Sequence, residues 1–235
     1  GAVTVFPIGF SGPENILIKA LTVLNETLYV GGKFTVTNVP TVPPATRYNL
    51  IAVSRFSGFI FPQWVPSQST SPLGSMMVSA MLATCDRIYV SGQLGSLGPN
   101  LRTFVPLNPV NGDTLETGTG AVNFGMVNAE LATGITVAEP NILISGDAIG
   151  LGESVRIPRP LAAVFVRNGA TIFPSFSPDL AGSGAMVALS GSRVLVAGRL
   201  LTGGSTRYNL AAVESMTGRP TSFAPRVGSN VNHLV

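Results

Sequence analysis

Four near-copies of one short phrase stand in the chain: "LYVGGKF" at 28–34, "IYVSGQL" at 88–94, "ILISGDA" at 142–148 and "VLVAGRL" at 194–200. A phrase that recurs at a near-fixed period constrains a fold strongly, because each copy must sit in one supersecondary unit. Anchored on the last glycine of each phrase, Gly32, Gly92, Gly146 and Gly198, the spacings are 60, 54 and 52 residues. The stretches ending on those glycines align without a gap: "KALTVLNETLYVGG", "SAMLATCDRIYVSG", "TGITVAEPNILISG" and "AMVALSGSRVLVAG". Each is an apolar run, a short polar turn and a second apolar run, which predicts a hairpin of strands A and B.

A second constant lies downstream in "NLIAVSRFSG" (49–58), "TFVPLNPVNG" (103–112), "PLAAVFVRNG" (160–169) and "NLAAVESMTG" (209–218). These predict a strand C that ends in a tight turn, with glycine supplying the positive φ. Phe- and Pro-bearing segments follow, "FIFPQWVP" (59–66), "TIFPSFSP" (171–178) and "TSFAP" (221–225); the second copy, "TLETGTG" (114–120), fits least. They predict an outer strand D, where the N–H that proline lacks is not needed. The chain is thus expected to be all-β, a β-propeller of four-stranded antiparallel blades. A single domain over 1–235 would hold repeats at about 16–66, 78–120, 131–178 and 183–226. The leading "TVFPIGF" resembles a D strand and the trailing "VNHLV" an A strand, so residues 1–10 and 231–235 are expected to share one further blade. A second polypeptide, or further blades of the same gene product, would complete it. The rival readings are a β-sandwich, against which two gap-free alignments speak, and a β-solenoid, whose coils are usually shorter.

The phrases "LYVGGKFT", "RYNLAAVESMTG" and "TSFAPRVGSNVNHLV" resemble the delta-60-type repeats of bacterial surface and secreted proteins, and similar repeats of fungal cortical marker proteins. The fourth unit matches best, and the resemblance covers nearly the whole chain. It implies a propeller blade rather than a chemistry, and an extracellular or cell-surface location.

Composition agrees with many short strands covered on several sides. Charged residues make up 11% of the chain, against roughly 25% in ordinary soluble domains. Gly (27) and Pro (18) punctuate it throughout. The apolar runs are far shorter than the ~20 residues of a spanning helix, so no membrane span is expected. The net charge of +3 comes from scattered arginines with no basic cluster, so no nucleic-acid partner is expected. No signal-peptide pattern is read in the chain.

Chemistry-bearing residues are sparse. The one histidine, His233, reads as a solvent-side residue, and the carboxylates are spread singly. No zinc or EF-hand spacing occurs, so no catalytic residue, metal site or cofactor is assigned. Asp147 falls in the turn slot held elsewhere by Lys33, Gln93 and Arg199. Cys85 aligns with Asn25 in the A–B turn; it reads as a half-buried, inert thiol or as an exposed one able to pair with another molecule. Trp64 reads as a wedge between blades, or as a platform for a sugar. "RYN" enters strand C twice, as Arg47, Tyr48 and Asn49 and as Arg207, Tyr208 and Asn209. It would serve either as a ligand-binding face or as structure, with Arg bridging to a neighbour and Asn capping the loop. "NET" (25–27) is the one N-glycosylation sequon and makes Asn25 the candidate glycan site. The expected function is that of a non-enzymatic structural or adhesive module working through protein–protein contacts. The alternative is a carbohydrate-binding or carbohydrate-active propeller using its B–C loops.

Overall fold

Tight hairpins need turn residues that tolerate positive φ, and this chain places them at the polar dips of its apolar pattern. In a computed structural model of the protein, the described residues are 8–12, 16–41, 44–66, 70, 77–94, 104–115, 134–138, 141–146, 161–165, 171–172, 176, 180–202, 205–207, 209–223, 225–228, 231 and 234. Strands β2 (Leu17–Leu24) and β3 (Thr27–Val39) flank the turn Asn25–Glu26, with Asn25 at φ 54°. Strands β12 (Leu180–Ser190) and β13 (Arg193–Thr202) flank Gly191–Ser192, with Gly191 at φ 60°. Strands β5 (Met77–Ala83) and β6 (Ile88–Gln93) form the second hairpin, and β8 (Gly134–Ala138) and β9 (Asn141–Ser145) the third. Each hairpin's second strand then pairs with a third: β4 (Ala45–Ser54), β7 (Phe104–Leu107), β10 (Leu161–Phe165) and β15 (Leu210–Glu214). The protein is therefore all-β, built of antiparallel sheets.

The pairing register is the same in all four sheets. Leu21 faces Val30, Met81 faces Val90, Ile135 faces Ile144 and Val187 faces Val196. On the other side Val30 faces Ile51, Val90 faces Val105, Ile144 faces Ala162 and Val196 faces Ala211. These pairs stand at equal distances before Gly32, Gly92, Gly146 and Gly198. The first strand also bulges at matching places, Lys19, Ser79 and Ala185, where the register shifts. The bulge drives the first strand's backbone at the phrase glycine. A Cβ on Gly32 would strike the Leu17 carbonyl oxygen, and one on Gly92 the Met77 carbonyl oxygen. Gly92 and Gly198 also lie at φ 144° and 145°, where side chains are strained.

The third strand closes on its glycine in one way. Gly58, Gly112 and Gly218 take φ 72°, 81° and 73°, and their N–H groups donate to the carbonyls of Ser54, Asn108 and Glu214. Beyond the turn the outer strand is short. Ile60, Thr114 and Pro220 each make a single bridge, to Val53, Leu107 and Val213. Among the described residues a ladder forms there in the third sheet alone, β11 (Thr171–Ile172) on β10. The expected strand D is thus reduced to one pair in three sheets, and Thr114 fills its place where "TLETGTG" looked weakest. Among the described residues the full order A to D occurs in the third sheet alone. In the first and fourth sheets the additional strands are β1 (Phe10–Ser11) and β14 (Ser205–Arg207), which pair with the far ends of β3 and β13.

Strand β1 departs from the expected outer position. Phe10 and Ser11 face Val36 and Thr35, which Arg47 and Tyr48 face from the other side. Phe10 therefore lies on the β2 side of β3, as an extension of the first strand. Residues 1–7 lie outside the described residues, as do 232–233 and 235 of the trailing segment.

The described residues cluster into two compact units, one holding the first two sheets and one the last two. In the first unit Tyr29, Leu50 and Ala52 of the first sheet bury against Val78, Met81 and Val90 of the second, with Trp64 in the same core. A Cβ on Gly31 would lie 2.5 Å from Val78 Cγ1 and 2.6 Å from Met81 Sδ, so the residue before the phrase glycine must be small where the next sheet crosses. In the second unit Ala138, Leu143 and Leu161 bury against Val187, Val196 and Ala211, with Phe176 where the first unit uses Trp64. Gly134 there lies under the fourth sheet, its Cβ position 3.0 Å from Val187 N. A separate cluster, Val30, Phe34, Val36, Val39, Ile51 and Val53, forms on the other face of the first sheet.

Candidate functional site

The first "RYN" sits in a bulge. Between the pairs Gly31–Leu50 and Thr35–Tyr48, strand β3 runs three residues against one, and that one is Asn49 at φ 62°. Asparagine takes this left-handed conformation more readily than most residues. The buried Asn49 Oδ1 accepts a 3.0 Å hydrogen bond from the Phe34 N–H, which the bulge has removed from the ladder. Asn209 repeats the conformation at φ 64°. Its carbonyl accepts from the Gly198 N–H at 3.1 Å, and its Nδ2 donates to the Val227 carbonyl at 2.9 Å. Asn49 thus holds backbone that the bulge would leave unpaired, and the Asn209 side chain ties down the Val227 carbonyl further along the chain.

Arg47 is buried, and its Nη1 donates to the Thr46 carbonyl at 3.2 Å. Burial holds its guanidinium below the usual arginine range. Among the described residues no carboxylate pairs with it, and Asp86 with Arg87 forms an exposed ion pair elsewhere at 3.2 Å. Tyr48 is half-buried in the ladder opposite Thr35. In the fourth sheet the backbone of Arg207 pairs with Leu200; Tyr208 lies outside the described residues.

A cleft that the sequence did not reveal opens at the other end of the first two sheets. It measures about 320 Å³ and is lined by Asn25, Tyr29, Phe61, Trp64, Cys85 and Val110 among others. Its walls are two turns that align in the sequence, the one with Asn25 and the one with Cys85. Tyr29 and Trp64 meet edge to face with centroids 5.1 Å apart. The Tyr29 hydroxyl donates to the Pro109 carbonyl at 2.9 Å, and Trp64 Nε1 donates to the Asn108 carbonyl at 3.1 Å. Burial pushes the Tyr29 phenol up, against a smaller opposing effect of its hydrogen bond with Thr27. The aromatic pair is therefore a neutral clamp between sheets. Trp64 is 3% exposed, the wedge position rather than a sugar platform.

Asn25 is exposed at the mouth of this cleft. Cys85 is exposed as well, which corrects the half-buried reading: it sits in the short loop between β5 and β6, with its Sγ 4.0 Å from Asp86 Oδ1. Asp147 and His233 lie outside the described residues. Among the described residues no three His, Cys, Asp or Glu side chains group together, and no helix is long and apolar enough to cross a membrane.

These observations define an all-β protein of antiparallel sheets sharing one register. No family model matches the chain, and no curated protein matches it. Among solved structures it is similar to the computationally designed Ika4 protein, at 9% identity and TM-score 0.49, over 87% of this chain and 94% of that one. It is also similar to the computationally designed Ika8 protein, at 8% identity and TM-score 0.44, over 86% of this chain and 60% of that one.

Proposed function

We propose that the chain is a structural or adhesive module of a cell surface or extracellular assembly, working through protein–protein contacts. Its four sheets are the blades of a β-propeller of the bacterial-surface and fungal cortical-marker type. The observation that carries this reading is the shared register. The positions constant in all four sheets are the phrase glycine, the small residue before it, and the pairings on either side. The phrase glycine makes room for the first strand's bulge within its own sheet, and at Gly31 the small residue before it makes room for the second sheet. The "RYN" asparagines, which a ligand face would turn outward, hold backbone instead. Another protein chain or further blades of the same product complete the assembly.

The test is protease shaving of intact cells that carry the parent protein. Peptides from this chain released before lysis are expected; their recovery from lysates alone overturns the surface reading. A glycan array run in parallel gives the carbohydrate alternative its chance. Binding that is lost in Tyr48→Ala, with folding kept, transfers the assignment to it.

A further inference from the structure

Among the described residues, Arg47 is the one charged side chain that is buried, at 8% exposure. It stands in one row across the first sheet with Val36 of β3 and Phe10 of β1. Residues directly opposite in a ladder share a face, and Phe10 and Val36 belong to the apolar cluster of that face. A guanidinium has five N–H donors. Here Nη1 bonds the Thr46 carbonyl, one residue away at 3.2 Å. The described carboxylates are placed elsewhere: Asp86 against Arg87, Asp113 against Asn111, Glu214 against Thr217, and Glu26 in the β2–β3 turn. No described ring compensates it either, since the stacked guanidinium is that of Arg55, 4.6 Å from the Phe56 centroid. Among the described residues the one sealed side-chain polar atom without a partner is Ser145 Oγ. The remaining Arg47 N–H groups are therefore not sealed and reach solvent at the rim. A cation so placed does nothing for the fold that an apolar side chain of similar length would not do as well. What it supplies is a largely desolvated positive charge with donors to spare.

We propose that Arg47 anchors a binding site for a small organic acid, a single carboxylate on an apolar body, received by the open edge of the guanidinium. The planar fork of N–H groups matches the two oxygens of a carboxylate. Apolar surroundings strengthen such a charge-assisted bond, because the local dielectric is low. One guanidinium balances the one charge of a carboxylate. A phosphate brings nearly two at neutral pH, and the excess would stand uncompensated beside Val36 and Phe10. Lys33, the other cation of β3, sits in the bulge opposite Leu17 and has a contact of its own. The apolar body is required by the row in which Arg47 stands. Neither ring closure nor a cell-surface location enters into this site, and its ligand is neither a glycan nor a protein chain.

The experiment titrates the whole isotope-labelled chain with sodium benzoate at constant ionic strength and follows the backbone amide signals of Val36 and Tyr48 by NMR. In the wild type both signals are expected to shift and saturate, and the unfolding midpoint to rise with benzoate. Arg47→Met is expected to keep the wild-type circular dichroism and to lose both responses. Arg47→Lys keeps the charge without the fork, and its dissociation constant is expected to be at least ~10-fold weaker. Should Arg47→Met not fold, Arg47→Lys and the wild-type titration still decide. A wild type whose signals never saturate overturns the proposal. So does benzoate binding that Arg47→Met or Arg47→Lys leaves at wild-type strength. Inorganic phosphate or chloride that displaces benzoate at equal concentration shows a general anion site and overturns it too. Shaving reports where the chain resides and the titration reports what it binds, so the two proposals fail separately.

Discussion

The phrase glycines give a graded test of why the motif is written as it is. At Gly92 an added Cβ meets the Met77 carbonyl oxygen and stands 2.8 Å from Ser79 N, both backbone atoms. At φ 144° the residue is also strained with any side chain. Conformational strain of ~1–2 kcal/mol and forced displacement of the bulge at ~1–3 kcal/mol together give a loss of roughly 4 kcal/mol for Gly92→Ala. At Gly31 the obstructing atoms are the ends of Val78 and Met81, so Gly31→Ala is an overpacking of about 1–2 kcal/mol. Gly9 has nothing within 4 Å of its Cβ position and no positive φ, so Gly9→Ala is expected within ~0.5 kcal/mol of wild type. Trp64 is the chain's one tryptophan and sits in the core of the first unit, so its fluorescence reports unfolding there. At roughly 4–8 °C per kcal/mol for a unit of this size, the midpoint falls by about 15 °C or more for Gly92→Ala and by about 10 °C for Gly31→Ala. If Gly92→Ala is as mild as Gly9→Ala, the approach of the first strand's backbone is not what makes the phrase end in glycine, and the bulge argument fails.

Three further outcomes follow from the same geometry. Asn49→Ala removes the acceptor for the buried Phe34 N–H and strains the αL position, for a loss of roughly 2–4 kcal/mol, whereas Asn49→Gly recovers the strain but not the hydrogen bond; equal losses in the two, read by Trp64 melting, contradict the bulge role. Arg47→Met replaces a buried cation with a side chain of similar length and is expected within about 1 kcal/mol of wild type or slightly more stable; a large loss in urea unfolding contradicts that. The Tyr29 phenol has its pKa raised above 10.0 in the folded state, so the folded chain keeps its proton while the unfolded one releases it; the stability this group contributes is complete below pH 10.0 and declines as pH rises past it, and Tyr29→Phe should remove that part of the alkaline decline.

The hairpins were legible because the apolar pattern and the turn residues agree. Gly191 and Asn25 mark the turns, and the gap-free phrase fixes a register that the strands follow pair for pair. The outer strand is shorter than its residues suggest, since Phe and Ile write a strand but Pro does not extend one. Ile60 bridges Val53, and the Phe61 N–H donates to the Ala52 carbonyl, but Pro62 has no N–H to continue the ladder. Pro220 occupies the bridge position itself and is limited in the same way. The position of Phe10 was hidden because a lone aromatic strand carries no signal for which edge it joins. The cleft was hidden because it belongs to two turns far apart in sequence; the alignment of Asn25 with Cys85 was its one trace. Leu21 is exposed where Met81 and Val187 are buried, and this was hidden for a related reason. It reads like them in the alignment, and only the stacking of sheets tells a covered strand from an open one.

That cleft gives the sequon at Asn25 a consequence that a surface loop would not. Asn25 is exposed in a two-residue turn, so a glycan on its Nδ2 leaves the β2–β3 ladder untouched. Expressed through a secretory pathway, the chain is expected to carry a glycan that an endoglycosidase removes and that Asn25→Asp never acquires. Cys85 lines the same cleft, so a glycan on Asn25 would stand near the thiol. A bulky maleimide should therefore modify Cys85 more slowly in the glycosylated chain than in the enzymatically trimmed one, while a small alkylating reagent shows little difference. Trp64 is buried beneath the cleft mouth and hydrogen-bonded to Asn108, so its emission should stay the same in the two forms. If bulky and small reagents are slowed alike, the glycan has altered the fold and not merely the access. If neither is slowed, Asn25 and Cys85 do not share a cleft, and the stacking of the first two sheets at this end is wrong.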